Sequence, residues 1–294
     1  MDWQALRLEL AQFEADGSLV EEANVEGRTR ALDFLAFVDE TIRAWGGRPV
    51  FDDLSRRSDA LRARLIATNS RLFDRVRSAL WSGALRGEAL RRELNRYTNY
   101  APDQGGSLHL GYDGLDTLVW AVLQLDRQDG SVECPEPEMV HYEPTPARVI
   151  LDLIDHVGVT PGDVFYDFGS GLGLVAILVH LLVGITTKGI EIQTSLCSSA
   201  QRTARELGLA DVHFVNGDVR DVDFSDGTVF YLFTPFRGKM LRQVFDQLGQ
   251  LAKRRSVRVC TFGPCTRQAL GQPWLEAYDP GSAHDFKLAT FQSR

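Results

Sequence analysis

The sequence predicts an α/β protein: a doubly wound, mostly parallel seven-stranded sheet with an antiparallel terminal hairpin, preceded by an N-terminal all-helical domain. Three observations carry this. From residue 164 onward, short apolar runs alternate with helix-length segments, the pattern of a parallel sheet covered on both faces. The first run, Val164–Phe168, leads directly into glycines at alternate positions, Gly169, Gly171 and Gly173. Before residue 140 no strand-like alternation stands out, and apolar residues recur at helical spacing. The expected division is a helical domain over 1–139 and an α/β domain over 140–294.

In the first region the helical pattern is carried by Leu6, Leu8, Leu10 and Phe13, then by Leu32, Phe34, Leu35, Phe37 and Ile42, then by Leu61, Leu65, Leu72, Val76 and Leu80. Turns are expected at 46–49 and 103–106, a last helix at 115–125, and a Pro/Glu-rich connector at 133–138. Between residues 56 and 96 eleven arginines face four acids, whereas residues 1–40 are acidic. The plain expectation is that the two stretches pair or solvate helix faces. The sharper one is a basic face that steers an anionic substrate. Farther on, His109, Tyr112 and Asp113 share a Gly-flanked turn. Asp113 reads as the N-cap of the next helix. The functional reading makes Tyr112 and Asp113 part of an acceptor pocket.

The α/β region reads in order. A helix over 147–156 feeds the first strand, 164–168, and a helix follows from Leu174 to Val183. Strands are expected at 187–192, 211–215, 228–233 and 256–262, with helices at 195–207 and 238–251 between them. Two closing strands at 274–278 and 286–291 lack a helix-length spacer, which implies the antiparallel hairpin. Right-handed crossovers then bring the loops after the first four strands to one edge, where ligands bind.

The glycine turn selects the ligand class. A dinucleotide fingerprint requires G-x-G-x-x-G. Counting from Gly169 puts Leu174 at the last glycine, and counting from Gly171 puts Ala176 there. A nicotinamide or flavin reading is therefore weakened but stays open. The pattern Asp167-x-Gly169-x-Gly171-x-Gly173 instead resembles the first motif of class I, Rossmann-like S-adenosylmethionine (SAM) methyltransferases. The resemblance covers roughly residues 142–294. It implies SAM as cofactor, with Asp167, Gly169, Ser170, Gly171 and Gly173 around its methionine end. Glu191, with Ile192 beside it, closes the second strand, where an acid accepts from a ribose diol. Asp218, with Val219, stands where the family accepts from the adenine amino group, with Asp221 and Asp223 as competitors. After the fourth strand, many amino-group methyltransferases carry Asp/Asn-Pro-Pro-Tyr/Phe. This chain has Phe233, Thr234, Pro235 and Phe236, so Phe236 is a candidate wall of the transfer site, Thr234 a candidate cofactor contact, and the acid or amide is missing.

One more segment resembles a narrower group. Tyr142-Glu-Pro-Thr145, ahead of the glycine motif, is similar to a segment of the non-SET histone-lysine methyltransferases and their prokaryotic relatives. In those enzymes the loop covers the methionine end of SAM, which implies that Tyr142 and Thr145 line the pocket. Thr145 with Pro146 also reads as an N-cap followed by proline in the first helical turn.

These readings lead to methyl transfer to a protein side chain of the lysine type, or to a small molecule. A non-catalytic SAM-binding scaffold is the other alternative. His109, Asp113 and His141 are the candidate bases. The net charge of −8 speaks against nucleic acid or an anionic membrane as partner. The apolar stretch 172–185 is too short to span a bilayer. Four scattered cysteines (Cys134, Cys197, Cys260 and Cys265) form no C-x-x-C pair, so no metal site is expected and free thiols fit a reducing, cytoplasmic setting. The excess of arginine over lysine points to a bacterial genome.

Overall fold

A computed structural model describes residues 3–45, 49–98, 111–125, 137–279 and 284–294. The expected turn at 103–106, His109, Cys134 and most of the connector lie outside the described residues. The chain divides into two compact units. One is helical and holds α1 (Trp3–Ala15), α2 (Val25–Trp45), α3 (Pro49–Trp81), the end of α4 (Gly87–Thr98) and α5 (Gly114–Leu123). The other is α/β and holds everything from residue 137 on.

The helical unit follows from its apolar spacing. Leu10, Ala31, Leu35, Val38, Leu54, Leu61 and Leu65 close one core, edged by Trp3, Phe13 and Phe34. Arg28 lies fully buried at its edge. Its guanidinium donates to the carbonyls of Leu19, Glu21 and Glu22 and to Oδ1 of Asn69 on α3. A buried cation persists only when its donors are satisfied in this way.

Much of the arginine-rich segment is paired with acids. Arg57 pairs with Glu14, Arg62 with Asp39, and Arg75 with Glu22 and Glu93. Arg56, Arg77 and Arg96 pair with acids on their own helices. Part of the stretch is thus paired with acids from α1, from α2 and from the loop between them.

In the α/β unit, α6 (Ala147–Val157) leads to β1 (Val164–Phe168), α7 (Leu174–Val183) and β2 (Thr186–Glu191). Then come α8 (Thr194–Glu206), β3 (Val212–Asn216), β4 (Val229–Phe233) and α9 (Gly238–Ala252). The chain closes with β5 (Arg258–Phe262), α10 (Cys265–Leu270), β6 (Leu275–Ala277) and β7 (Ala289–Ser293). The seven strands lie in the order β3-β2-β1-β4-β5-β7-β6. All pairs among β1–β5 are parallel, and β7 runs antiparallel between β5 and β6. The doubly wound fold with a terminal hairpin is therefore as expected. The six-residue helix α10 was not anticipated from the sequence, because a run that short carries little periodicity.

Strand alternation distributes the two faces. Tyr166, Phe168, Phe230 and Leu232 point into the core shared with α9 and α10, where Phe224 joins the aromatic cluster. Asp167 and Tyr231, paired in register on β1 and β4, point to the opposite face. The strand order reverses between β1 and β4, and that reversal opens a crevice at the carboxyl ends of the strands.

Replacing Arg28 with Met keeps the side-chain volume but leaves three loop carbonyls without their donor. The expected loss is about 2–4 kcal/mol of stability, read from urea unfolding of the full chain, and a loss below about 0.5 kcal/mol would contradict the assigned role.

Candidate functional site

A cavity of about 410 Å³ occupies this crevice. Its floor is built by the ends of three neighbouring strands. β1 supplies Asp167 and the turn Gly169–Ser170, β2 supplies Glu191, Ile192 and Gln193, and the loop after β3 supplies Asp218 and Val219. β4 supplies the far wall, Phe233 to Phe236. The segment from Met139 to Thr145 lines the remaining side.

Glu191 ties the floor together. Its Oε2 accepts from the Gly171 amide and its Oε1 from the Gln193 amide, each at 2.8 Å. Burial raises its pKa, and those two amides with that of Ile192 pull it back down. Each oxygen keeps a further lone pair, so the carboxylate retains capacity to accept from a ligand.

Asp167 is in the opposite condition. It is 3% exposed, and its Oδ2 has no hydrogen-bond partner. Burial, reinforced by the charge of Glu191, pushes its pKa up to about 8. An orphaned carboxylate oxygen facing a cavity is the feature expected of a group awaiting a cationic or N–H-bearing ligand. The Oγ of Ser170 and Oε1 of Gln193, also in the cavity lining, are likewise buried without partners.

The glycine turn works differently from the sequence expectation. A Cβ on Gly171, which has φ +53°, would stand 2.0 Å from Cε2 of Tyr142, and one on Gly173 would meet Phe214 and Ala200. The side chains that come close are the protein's own. Gly171 and Gly173 therefore lie beneath the cavity lining, while Gly169 and Ser170 reach it. Tyr142 lies over the turn and accepts a hydrogen bond from the backbone of Leu172; burial moves its pKa upward.

The segment bearing Tyr142 is pinned along its length. The Glu138 carboxylate accepts from the Lys239 and Met240 amides at the start of α9. Met139 bridges antiparallel to Phe236, and the Val140 amide donates to the Pro235 carbonyl at 3.1 Å. Thr145 does not cap α6. Pro146 occupies the N-cap position, and the Thr145 hydroxyl turns inward to the hydroxyl of Tyr231 at 3.1 Å. The buried phenol takes precedence, because an unpaired hydroxyl in the interior costs more than an uncapped amide near water.

Asp218 is held by Arg220, which lowers its pKa by hydrogen bonding. It lines the cavity, whereas its competitors Asp221 and Asp223 do not; Asp223 caps Ser225 instead. Thr234 has φ +40°, rare for a β-branched residue. Its hydroxyl donates to the Phe262 carbonyl and accepts from the Cys265 amide, which holds that conformation. Its side chain is thus committed to the turn after β5. Phe236 is 3% exposed and serves both core and cavity wall.

Tyr112 and Asp113 belong to the helical unit. Asp113 accepts from the Leu115 amide and Asp116 from the Asp113 amide, a capping box at the start of α5. Tyr112 packs edge-on against Trp120, with centroids 4.9 Å apart. Sequence reasoning missed Gln193, Phe233, Arg237, Met240 and Pro264 as lining residues. All but Met240, which lies in the first turn of α9, fall within four residues of a β-strand's carboxyl end, a signal available once the sheet is known to be parallel. Among the described residues no cluster of His, Cys, Asp or Glu could hold a metal, and no helix is long and apolar enough to cross a membrane.

Residues 138–228 match the family model described as Histone methylation protein DOT1. The match begins at the pinned segment and runs through β3. An RNA methyltransferase from Salinibacter ruber is 25% identical, covering 51% of this chain and 92% of its own, with a TM-score of 0.40. A SAM-dependent methyltransferase from Aquifex aeolicus is 15% identical over 51% and 93%, with a TM-score of 0.41. A ribosomal protein L11 methylase from Lactobacillus delbrueckii subsp. bulgaricus is 19% identical over 50% and 78%, with a TM-score of 0.38. No curated protein matches the chain in a sequence search.

The residues present fit SAM: the unpartnered Asp167 oxygen suits its ammonium, and a second carboxylate stands one strand away for its ribose. Substituting Gly171 by Ala adds a strained φ and displaces Tyr142, so thermal unfolding should fall by an amount equivalent to about 1–3 kcal/mol and SAM affinity should fall with it. A G171A protein that binds SAM normally would refute the role given to the Tyr142 contact. Strand order, the family match across the glycine turn and this chemistry agree: the chain is a class I, Rossmann-like SAM-dependent methyltransferase.

Proposed function

We propose that this enzyme methylates a protein side chain, an amine of the lysine type. The observation that carries the reading is the pinned segment Glu138–Thr145, which lies along the cavity and opens the stretch matched by the histone-methylation family model. The wall after β4 departs from the amino-group pattern: Phe233 and Thr234 stand where many amino-group methyltransferases carry an acid or amide, and the Pro235 carbonyl is already engaged by Val140. The acceptor would then meet an aromatic and backbone wall rather than a side-chain amide, so the lysine reading rests on the pinned segment and not on this wall.

When bound, SAM supplies an electrophilic methyl group for in-line displacement. Asp167, with the turn Gly169–Ser170, holds the methionine end. Glu191 and Ile192 hold the ribose, and Asp218 and Val219 the adenine. Tyr142 and Phe236 line the transfer channel, where their ring faces favour cationic groups and exclude water. The incoming ammonium must shed its proton before attack, and His141, in the cavity lining, is our candidate base.

Asp167 makes the cofactor site pH-sensitive. In the ligand-free fold it holds its proton up to about pH 8, far above its ordinary value of 3.8. An unfolded chain releases that proton earlier, so the ligand-free protein loses stability as pH rises from about 4 toward 8. An ammonium placed against Asp167 reverses the preference and favours the carboxylate. Binding at pH 7 should therefore release up to about one proton, and SAM affinity should strengthen as pH rises toward 8. Calorimetry in buffers of different ionisation enthalpy reads this directly. Asp167→Asn should bind more weakly and without proton release; release that persists in the variant would exclude Asp167 as its source.

Incubation of the enzyme with labelled SAM and a cell lysate tests the acceptor. Label should enter protein and appear in methyl-lysine after hydrolysis. Label confined to RNA or to small molecules would overturn the protein reading. Phe236→Ala should lower turnover about tenfold or more while changing SAM affinity less than about twofold.

A further inference from the structure

We infer that Tyr231 is a positioning residue: through the hydroxyl of Thr145 it aims a hydrogen-bond donor at the carboxylate of the bound cofactor. The inference rests on the reading of the cavity as a SAM site. Tyr231 sits on β4, in register with Asp167 on β1, and is 1% exposed. Its hydroxyl meets Thr145 Oγ1 at 3.1 Å, and Thr145 lines the cavity.

Two hydroxyls in contact share one hydrogen bond, so one of them must direct its own proton elsewhere. Tyr231 has no solvent to turn to. If Thr145 donated, the phenol proton would be buried without a partner, which is costly. The phenol is also the more acidic hydroxyl and the better donor. Burial holds it neutral and protonated. Tyr231 therefore donates to Thr145, and the Thr145 proton is left to face the cavity.

A donor at this place meets a definite chemistry. Thr145 stands at the entry to α6, an eleven-residue helix whose first turn carries partial positive charge. Asp167, on the same face of the sheet, accepts rather than donates and suits the ammonium. A ligand that presents an ammonium and a carboxylate together, as an α-amino acid does, matches both. The nucleoside part of the cofactor has no carboxylate and does not need Thr145.

That difference gives the test. S-adenosylhomocysteine carries the amino-acid end, and 5′-methylthioadenosine lacks it. Tyr231→Phe should weaken S-adenosylhomocysteine about tenfold and leave methylthioadenosine within about twofold, by calorimetry on the full chain. Thr145→Val should do the same, Thr145→Ser should restore binding, and the double variant Y231F/T145V should be no weaker than T145V alone. Equal weakening of both nucleosides, no weakening, or additive losses would overturn the inference. Should Tyr231→Phe lose its fold by thermal unfolding, site-specific 3-fluorotyrosine at 231 replaces it. A stronger phenol donor should keep or tighten S-adenosylhomocysteine with methylthioadenosine unchanged, and a loss shared by both would be the refuting result. Wild-type protein that binds neither nucleoside would refute the cavity reading itself rather than the part played by Tyr231.

Discussion

Two backbone amides, those of Gly171 and Gln193, converge on the carboxylate of Glu191 at 2.8 Å each. This joins the glycine turn after β1 to the end of β2, and the site depends on it. With Glu191 engaged, the turn keeps the left-handed backbone that only glycine adopts without strain, and Tyr142 closes down on Gly171. Asp167 is left beside a second buried carboxylate with its Oδ2 unpartnered. Two acids on adjacent strand ends thus have unlike conditions, one satisfied by the protein and one open to a ligand. That asymmetry separates a binding site from an ordinary strand-end ion cluster.

The segment 138–145 shows how an irregular stretch acquires a defined path. It has no ladder of its own beyond a single bridge, yet each portion has an anchor: Glu138 on the start of α9, Val140 on Pro235, Tyr142 on the turn, and Thr145 on Tyr231. These anchors come from four different elements of the α/β unit.

Charge in the helical unit leads to a different conclusion from charge in the sequence. The arginine-rich stretch is less basic in the fold than in the sequence, because acids from residues 1–40 pack against it. Glu14, Glu22 and Asp39 neutralise Arg57, Arg75 and Arg62 across the helix interfaces. Half-exposed pairs of this kind add little stability, on the order of 0–1 kcal/mol each. Their consequence is a smaller local excess of positive charge than the sequence count alone implies.

The sequence by itself determined the sheet, its parallel run and the carboxylates at the ends of β1 and β2. Those features are local: apolar runs of strand length, glycines at alternate positions, and an acid at each strand end. It also marked Asp113 as a helix cap, since capping acts over three residues. Tertiary structure alone decided what faces what. Thr145 turns from cap to partner of Tyr231 because a residue 86 positions away buries a phenol beside it. Gly171 and Gly173 are required by Tyr142 and Phe214, side chains that no local pattern connects to the turn. Asp218 is selected over Asp221 and Asp223 by which of three neighbouring acids reaches the cavity. A one-dimensional pattern records periodicity and spacing, whereas the partner of a buried polar atom is chosen by packing between distant segments.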